Sequence, residues 1–191
     1  MRKLKKVTRR VKRLLGDRGE DWSPILLGAG LLFTLVFSSC SEAAEEVQCE
    51  FLSNLTPYQQ DVAEMSYRAA EVHDLGHTAV AVAYKESKLG VYKVRYNRGS
   101  IKDVSVGVMH TVAYWKTKDM TPFEAGMWFQ DMMEIDQKSV AIGVQDLITW
   151  QSRAKGNWKR GIEMYNAGYG KNPNYVKDVV KIYQQVKHCK F

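Results

Sequence analysis

Apolar residues beyond about position 56 recur at the spacing of an α-helix, and short breaks separate one run from the next. The first run has its apolar residues on one helical face, at Tyr58, Val62, Met65, Ala69 and Val72. Thr56-Pro57-Tyr58-Gln59 stands at its start and has the form of a capping box with proline at the first helical position. We therefore expect a helix that begins after Thr56 and ends at Gly76.

Further helical segments follow along the chain. We expect them at about 78–88, from Thr121-Pro122-Phe123-Glu124 onward, around the face formed by Val140, Val144, Leu147 and Ile148, at about 158–165, and at about 175–187. Between Val91 and Val106 the helical period is lost. Tyr92, Val94 and Tyr96 alternate there, which predicts an extended loop or a small hairpin. The whole pattern predicts one mainly α domain.

Net charge changes this picture little. The formal charge of the 191-residue chain is +7, which by itself would suggest nucleic acid or an anionic membrane as a partner. Residues 1–40, however, carry nine of the 28 Lys and Arg residues and only three of the 21 Asp and Glu residues. Because the rest of the chain is nearly neutral, nucleic-acid binding is not expected.

The basic N-terminus is followed by an uncharged apolar stretch over residues 24–39. This stretch is shorter than the ~20 residues that a transmembrane helix needs, whereas a basic region, a short apolar run and then small residues are typical of an export signal. Cleavage after Ala43, lipidation of Cys40 in the lipobox-like Phe37-Ser38-Ser39-Cys40, and retention as a membrane anchor are the three alternatives. Each divides the chain into a 1–44 segment and a 45–191 domain, and places the domain in the periplasm or on the outer face of the cytoplasmic membrane.

The chain has three cysteines, Cys40, Cys49 and Cys189. If Cys40 is lipidated or removed with a signal, one cysteine remains near each end of the exported domain. An oxidising compartment favours a Cys49–Cys189 disulfide, which would stabilise the fold by ~4–5 kcal/mol if it acts through chain entropy; two unpaired thiols are the alternative. The spacing suits neither a zinc site nor a CxxC redox motif, and we expect no metal and no cofactor.

Glu86 stands out among the acidic residues because of the helical face that it occupies. Ala79, Val82, Ala83 and Glu86 are spaced i, i+3, i+4 and i+7, so this carboxylate shares the apolar stripe of its helix. Burial and the negative end of the helix dipole both disfavour a charged carboxylate, which suits a proton donor near neutral pH. An ordinary buried glutamate paired with Lys or Arg is the competing interpretation.

Three later segments combine small residues with groups that bind ligands. They are the small-residue turn at 105–111, the helix start at 136–143, and the glycine-rich turn at 164–170 with a tyrosine and an asparagine beside it. Each one alone is explained by turn chemistry, helix packing or helix capping. The order in which the three segments follow Glu86 along the chain indicates function more strongly than any single segment does.

The set resembles the soluble-type lytic transglycosylases, a family related to goose-type lysozyme. In that family a Glu-Ser near a helix end is followed by a Gly-Leu-Met-Gln-like segment, an Asp-x-x-x-Asn-Ile-x-x-Gly-like helix start, an Ala-Tyr-Asn-Ala-Gly turn, and a last helix with Tyr-Val. The corresponding residues are Glu86-Ser87, Gly107-Val108-Met109-His110, 136–143, 164–168 and Tyr175-Val176. The resemblance covers about residues 56–187 and implies a mainly α, lysozyme-like (α+β) domain with a substrate cleft.

The resemblance also implies how Glu86 would act. Glu86 would protonate the glycosidic oxygen and then serve as the base. Ser87 would hold either the substrate or the helix that carries Glu86. Tyr165 would orient Glu86 through its hydroxyl.

Further residues would bind the substrate or line its cleft, namely Ser105, Met109, His110, Tyr165 and Asn166. His110 stands where the family has Gln, and its imidazole offers a donor and an acceptor, so sugar binding is expected to persist with a pH dependence. The other departures are Met164 in place of Ala, Ser139 in place of Asn and Val140 in place of Ile.

The implied reaction cleaves the β-1,4 bond between N-acetylmuramic acid and N-acetylglucosamine in peptidoglycan. Ordinary glycosidases use two carboxylates, and no motif here supplies a second one. The family uses the N-acetyl group of the substrate instead, and a 1,6-anhydro ring closes as Glu86 takes the C6 hydroxyl proton. A lysozyme-type hydrolase and a non-catalytic cell-wall-binding component are the alternatives. The expected partners are glycan strands, a membrane through residues 1–44, and, in some settings, a secretion, conjugation or phage machine.

Overall fold

The structure is a computed structural model that describes residues 49–96 and 104–191. Within these residues the chain forms eight α-helices and one three-stranded antiparallel sheet. The helices are α1 (Glu50–Ser53), α2 (Pro57–Ala70), α3 (Gly76–Ser87), α4 (Ala113–Thr117), α5 (Pro122–Glu134), α6 (Asp136–Arg153), α7 (Trp158–Ala167) and α8 (Pro173–Val186). The strands are β1 (Val94–Tyr96), β2 (Val104–Val106) and β3 (Thr111–Val112). The prediction of a mainly α domain is confirmed.

Both predicted capping boxes are present. The hydroxyls of Thr56 and Thr121 accept from the backbone N–H groups of Gln59 and Glu124, whose side chains bond back to the N–H groups of the two threonines. Proline takes the first helical position in each case. These reciprocal bonds fix where α2 and α5 begin.

The predicted end of the first helix at Gly76 is wrong. α2 ends at Ala70, and a single 3-10 turn carries the chain to Asp74, whose left-handed φ of 57° breaks the helix. Gly76 is instead the first residue of α3. A Cβ at Gly76 would lie 2.6 Å from ring carbons of Tyr67, so the glycine is needed there for close packing of α3 on α2.

Helix α3 is the centre of the fold, and α2 and α8 pack against it. Its residues 79–83 have no exposed surface, and all of them are alanine or valine. Because these side chains are small, neighbouring helices approach α3 closely. Glu86 lies near the carboxyl end of this central helix, so the fold places its carboxylate in the interior.

The sheet is small and lies beside the end of α3. Val94 pairs with Val106 and Arg95 pairs with Ser105 in the β1–β2 hairpin, and β2 also pairs with β3. Of the extended loop or small hairpin expected around 91–106, the antiparallel pairing of β1 with β2 fits the hairpin, whereas β3 was not predicted. In β1, Val94 and Tyr96 are exposed and Arg95 between them is half-buried, so Arg95 points toward the protein.

The sulfur atoms of Cys49 and Cys189 lie at disulfide-bonding distance, with their Cα atoms 5.2 Å apart across a sequence separation of 140. The predicted pairing is therefore confirmed, and we call it the terminal disulfide. It joins the residue before α1 to the segment after α8. Cys189 is buried in the same apolar core as α3.

No helix within residues 49–96 and 104–191 is long and apolar enough to cross a membrane. The predicted export segment at 24–39, the cleavage position after Ala43 and the lipidation candidate Cys40 lie outside the described residues.

Candidate active site

The end of α3 is fixed by the hydroxyl of Ser87. Its Oγ donates to the carbonyl oxygen of Val108 at 2.5 Å and accepts from the N–H of Gly90 at 2.7 Å. The side chain has no exposed surface, so it offers none to a sugar. Of the two roles expected for Ser87, the contacts fit the one in which it holds the helix that carries Glu86.

The turn at residues 107–110 is held from two sides. Gly107 has a φ of 84°, which favours glycine, and a Cβ there would collide with Ser139 Oγ. The same Ser139 Oγ accepts the N–H of Val108 at 2.6 Å. Ser87 on α3 and Ser139 on α6 therefore clamp this turn between two helices.

Met109 belongs to the core. Its side chain has no exposed surface, and a Cβ at Gly143 of α6 would overlap it. The side chain expected to line a substrate cleft is therefore enclosed, and Gly143 is needed for α6 to reach the turn. The carbonyl oxygen of Met109 accepts a hydrogen bond from the hydroxyl of Tyr165 at 2.6 Å.

Groups from three different elements converge on the Glu86 carboxylate. The Tyr175 hydroxyl on α8 donates to Oε1 at 2.6 Å. In the 107–110 turn, His110 Nδ1 lies 3.1 Å from Oε2, and Nη1 of Arg95 on β1 lies 3.7 Å from the same oxygen. The Glu86 side chain is only 4% exposed, which confirms its predicted burial. Both oxygens of this buried carboxylate are paired, as burial of a charge requires.

Arg95 marks the solvent side of this group. Its side chain is 38% exposed, against 4% for both Glu86 and His110.

Two buried polar atoms on the same face of the sheet have no hydrogen-bond partner among the described residues, Arg95 Nε and Ser105 Oγ. The two residues are directly opposite each other in the β1–β2 ladder. Ser105, one of the expected substrate-binding residues, thus lies beside the arginine that contacts Glu86.

The tyrosine that bonds Glu86 is Tyr175. The prediction that Tyr165 orients Glu86 through its hydroxyl is wrong, because that hydroxyl donates to the carbonyl of Met109. Burial raises the pKa of both phenols well above the ordinary value, and the nearby carboxylate of Glu86 raises it further. Both hydroxyls therefore remain protonated donors at neutral pH.

Asn166 contributes to the placement of Tyr175. Its Oδ1 accepts from Asn172 Nδ2 at 2.8 Å. Asn172 caps α8, because its Oδ1 accepts the N–H of Tyr175 at 3.1 Å, and its own N–H donates to Glu163 at 2.9 Å. This set of bonds begins α8 at the position that brings Tyr175 to Glu86.

Sequence reasoning named Tyr175 only as part of the Tyr-Val of the last helix and gave it no role in the site, and it did not name Arg95. Tyr175 gave a signal, because it stands four residues before the buried Val179 on the inward stripe of α8, where a phenol needs a hydrogen-bond partner. Arg95 gave a weaker one, since it alternates with Val94 and Tyr96 in a predicted extended segment.

Comparison of the chain with models of protein families, with characterised proteins and with solved structures finds no match in any of the three.

Proposed function

We propose that this protein is a peptidoglycan lytic transglycosylase and that Glu86 is its single acid/base. One observation carries the proposal: a carboxylate is enclosed at the end of the central helix, with a phenol, an imidazole and a guanidinium around it. No motif of the sequence assigns a role in the reaction to a second carboxylate. Such a site suits a glycan-cleaving reaction that needs one carboxylate instead of the usual two.

The mainly helical domain, with a three-stranded sheet beside the carboxylate, is compatible with the lysozyme-like fold that the resemblance implies. The order of the segments also agrees, since the 107–110 turn, α6, α7 and α8 all supply residues around the end of α3.

In the first step, Glu86 donates its proton to the glycosidic oxygen between N-acetylmuramic acid and N-acetylglucosamine. The bond from C1 to this oxygen breaks, and its electron pair stays on the leaving oxygen. The N-acetyl carbonyl oxygen of the muramic acid attacks C1 and takes up the positive charge. Arg95 and Tyr175 stabilise the Glu86 carboxylate that forms, the first by its charge and the second by its hydrogen bond.

In the second step, the Glu86 carboxylate removes the proton of the muramyl C6 hydroxyl. The C6 oxygen attacks C1, the N-acetyl oxygen leaves, and a 1,6-anhydro ring is closed. The proton is back on Glu86, so the cycle needs neither water nor a metal.

The surroundings of Arg95 suit the substrate. Peptidoglycan strands carry carboxylates on their stem peptides, and a half-exposed guanidinium attracts them. Ser105, opposite Arg95 in the sheet, has no exposed surface, so the contact with substrate expected from it is not available in this arrangement. Asn166 uses its Oδ1 within the protein, so a sugar contact from this residue would come from its Nδ2 donor.

A peptidoglycan substrate requires a location outside the cytoplasm. The basic and apolar pattern of residues 1–39 supports export to the periplasm or to the outer face of the cytoplasmic membrane. The terminal disulfide supports the same location, since disulfides persist in oxidising compartments.

Glu86→Gln tests the proposal, with Glu64→Gln as the matched control because the Glu64 side chain is 60% exposed on α2. Release of soluble fragments from purified sacculi is measured for both variants. Loss of the acid/base should lower the rate by about 10²–10⁴-fold in Glu86→Gln, while Glu64→Gln keeps the wild-type rate. Far-ultraviolet circular dichroism checks that both variants fold. An active Glu86→Gln would overturn the assignment, and wild-type protein that binds sacculi without releasing fragments would indicate the non-catalytic component.

A further inference from the structure

The two ring nitrogens of His110 have different surroundings. Nε2 lies 2.7 Å from the carbonyl oxygen of Tyr92, and a carbonyl oxygen only accepts hydrogen bonds. Nε2 therefore carries a hydrogen. Nδ1 lies 3.1 Å from Glu86 Oε2. His110 itself is held in a left-handed turn, with a φ of 50°, and its side chain is 4% exposed.

These contacts fix the number of protons between the two residues. With the Nε2 hydrogen in place, Nδ1 of a neutral imidazole presents a lone pair, and a carboxylate oxygen presents lone pairs as well. Two lone pairs do not form a hydrogen bond, so the contact requires one proton, either on Glu86 as a carboxylic acid or on His110 as an imidazolium.

We propose that Glu86 and His110 share one proton, and that His110 is the positioning residue that keeps the acid/base supplied with it. This rests on the proposed function. The shared proton leaves the pair through Glu86 to the glycosidic oxygen, and His110 is then neutral beside a carboxylate. The C6 hydroxyl proton returns to the pair in the second step, so each turnover ends with the same proton count.

The other groups around the pair set where the proton rests. Arg95 from β1 faces the same Glu86 oxygen, and Tyr175 from α8 donates to the other one. Both stabilise the carboxylate that forms when the shared proton leaves through Glu86. Tyr165 from α7 is an uncharged phenol, because burial raises its pKa well above the ordinary value.

Asp146 of α6 also acts on this region, through its charge on Tyr165. Lys116 lies 2.7 Å from Asp146, and this pairing offsets its charge. The proton between Glu86 and His110 is therefore governed by the groups that contact the pair directly.

The role of His110 differs from the sugar contact expected from the sequence. Both nitrogens are used inside the protein, so neither is left for a sugar hydroxyl in this arrangement. What the imidazole adds is a proton that an amide cannot supply. We expect the pair to keep its proton, and the enzyme its activity, to a higher pH than Glu86 would beside an amide.

His110→Gln tests this with a side chain that still donates a hydrogen bond but neither gains nor loses a proton. The pH at which kcat/KM declines on the alkaline side of its profile should be lower by about one unit or more, the size expected for loss of an adjacent charge partner. His110→Asn is a second variant, because asparagine tolerates left-handed φ. His77→Gln is the control, since His77 also bonds a backbone carbonyl, that of Cys189 at 3.1 Å, but lies away from Glu86. An alkaline fall at the same pH in the wild type and both His110 variants would overturn the proposal.

Nitrogen-15 NMR of the imidazole separates this proposal from the proposed function. We expect the Nε2–H form of His110 at high pH, and uptake of its second proton at a pH about one unit or more lower in Glu86→Gln than in the wild type. An Nδ1–H form at high pH, or an equal titration in both proteins, would overturn the shared proton. If the NMR shift appears but wild-type protein releases nothing from sacculi, the glycan-cleaving function fails and the proton pair stands. If anhydro products form without the NMR shift, the function stands and the proton pair fails.

Discussion

Removal of the Tyr175 hydroxyl tests whether its contact with Glu86 serves the reaction. Tyr175→Phe keeps a ring that is 5% exposed and deletes only the oxygen 2.6 Å from Glu86 Oε1. A hydrogen bond to a charged group contributes about 1.5–3 kcal/mol. Glu86 gains its charge as it gives up its proton, so this stabilisation is realised in the transition state. The loss corresponds to a fall in kcat/KM of about 10- to 150-fold.

Tyr165→Phe is the matched control. It also removes a buried phenol oxygen with a 2.6 Å hydrogen bond, but the acceptor is the neutral carbonyl of Met109. A bond of this kind contributes about 0.5–1.5 kcal/mol to stability. We expect the free energy of unfolding to fall by that amount in Tyr165→Phe and kcat/KM to change by less than about threefold.

The assay for both variants is the initial rate of fragment release from sacculi at a substrate level below saturation. Urea unfolding of the same samples gives their stability. A larger loss of activity in Tyr165→Phe than in Tyr175→Phe would refute this reasoning, because Tyr165 would then be the residue that acts on Glu86, as the family resemblance implied. Equal losses would refute it too.

Further predictions concern the parts that hold the site together. Gly143→Ala forces a Cβ onto Met109 and should lower the free energy of unfolding by about 1–3 kcal/mol. Gly126 is exposed on α5, and no atom lies within 4 Å of a Cβ added there, so Gly126→Ala should raise the free energy of unfolding by about 0.5–1 kcal/mol. A urea midpoint equal to that of the wild type would contradict the prediction for either variant. Ser87→Ala leaves the Gly90 N–H without its partner and should cost about 1–3 kcal/mol of stability at unchanged KM. A raised KM at unchanged stability would instead indicate a substrate contact. Reduction of the terminal disulfide should lower the free energy of unfolding by up to ~5 kcal/mol. A urea midpoint that is the same with and without dithiothreitol would contradict this.

The parts of the fold that the sequence predicts are those decided within a few residues. The capping boxes of α2 and α5 are local bonds between positions three apart, and they appear where the pattern predicts them. Gly76 fails as a helix end because its role depends on Tyr67, a neighbour on another helix. A glycine looks the same in sequence whether it ends a helix or makes room for a ring.

The site follows the same division. Burial of Glu86 is readable from the spacing of its helix, because the stripe that it shares is apolar. Which tyrosine reaches the Glu86 carboxylate depends on how α7 and α8 lie relative to α3. Residues that are close together in the sequence do not determine that packing. His110 illustrates the same limit, since the carbonyl that fixes its Nε2 belongs to Tyr92, 18 positions earlier in the chain.

Mass spectrometry of the fragments that wild-type protein releases from sacculi tests the central claim most directly. A single acid/base at Glu86 that returns its proton through the C6 hydroxyl predicts fragments ending in 1,6-anhydromuramic acid, lighter by one water than hydrolysis products. These fragments should be absent from the Glu86→Gln digest. Fragments with reducing muramic acid ends would contradict the account, because water and not the C6 hydroxyl would then have attacked C1.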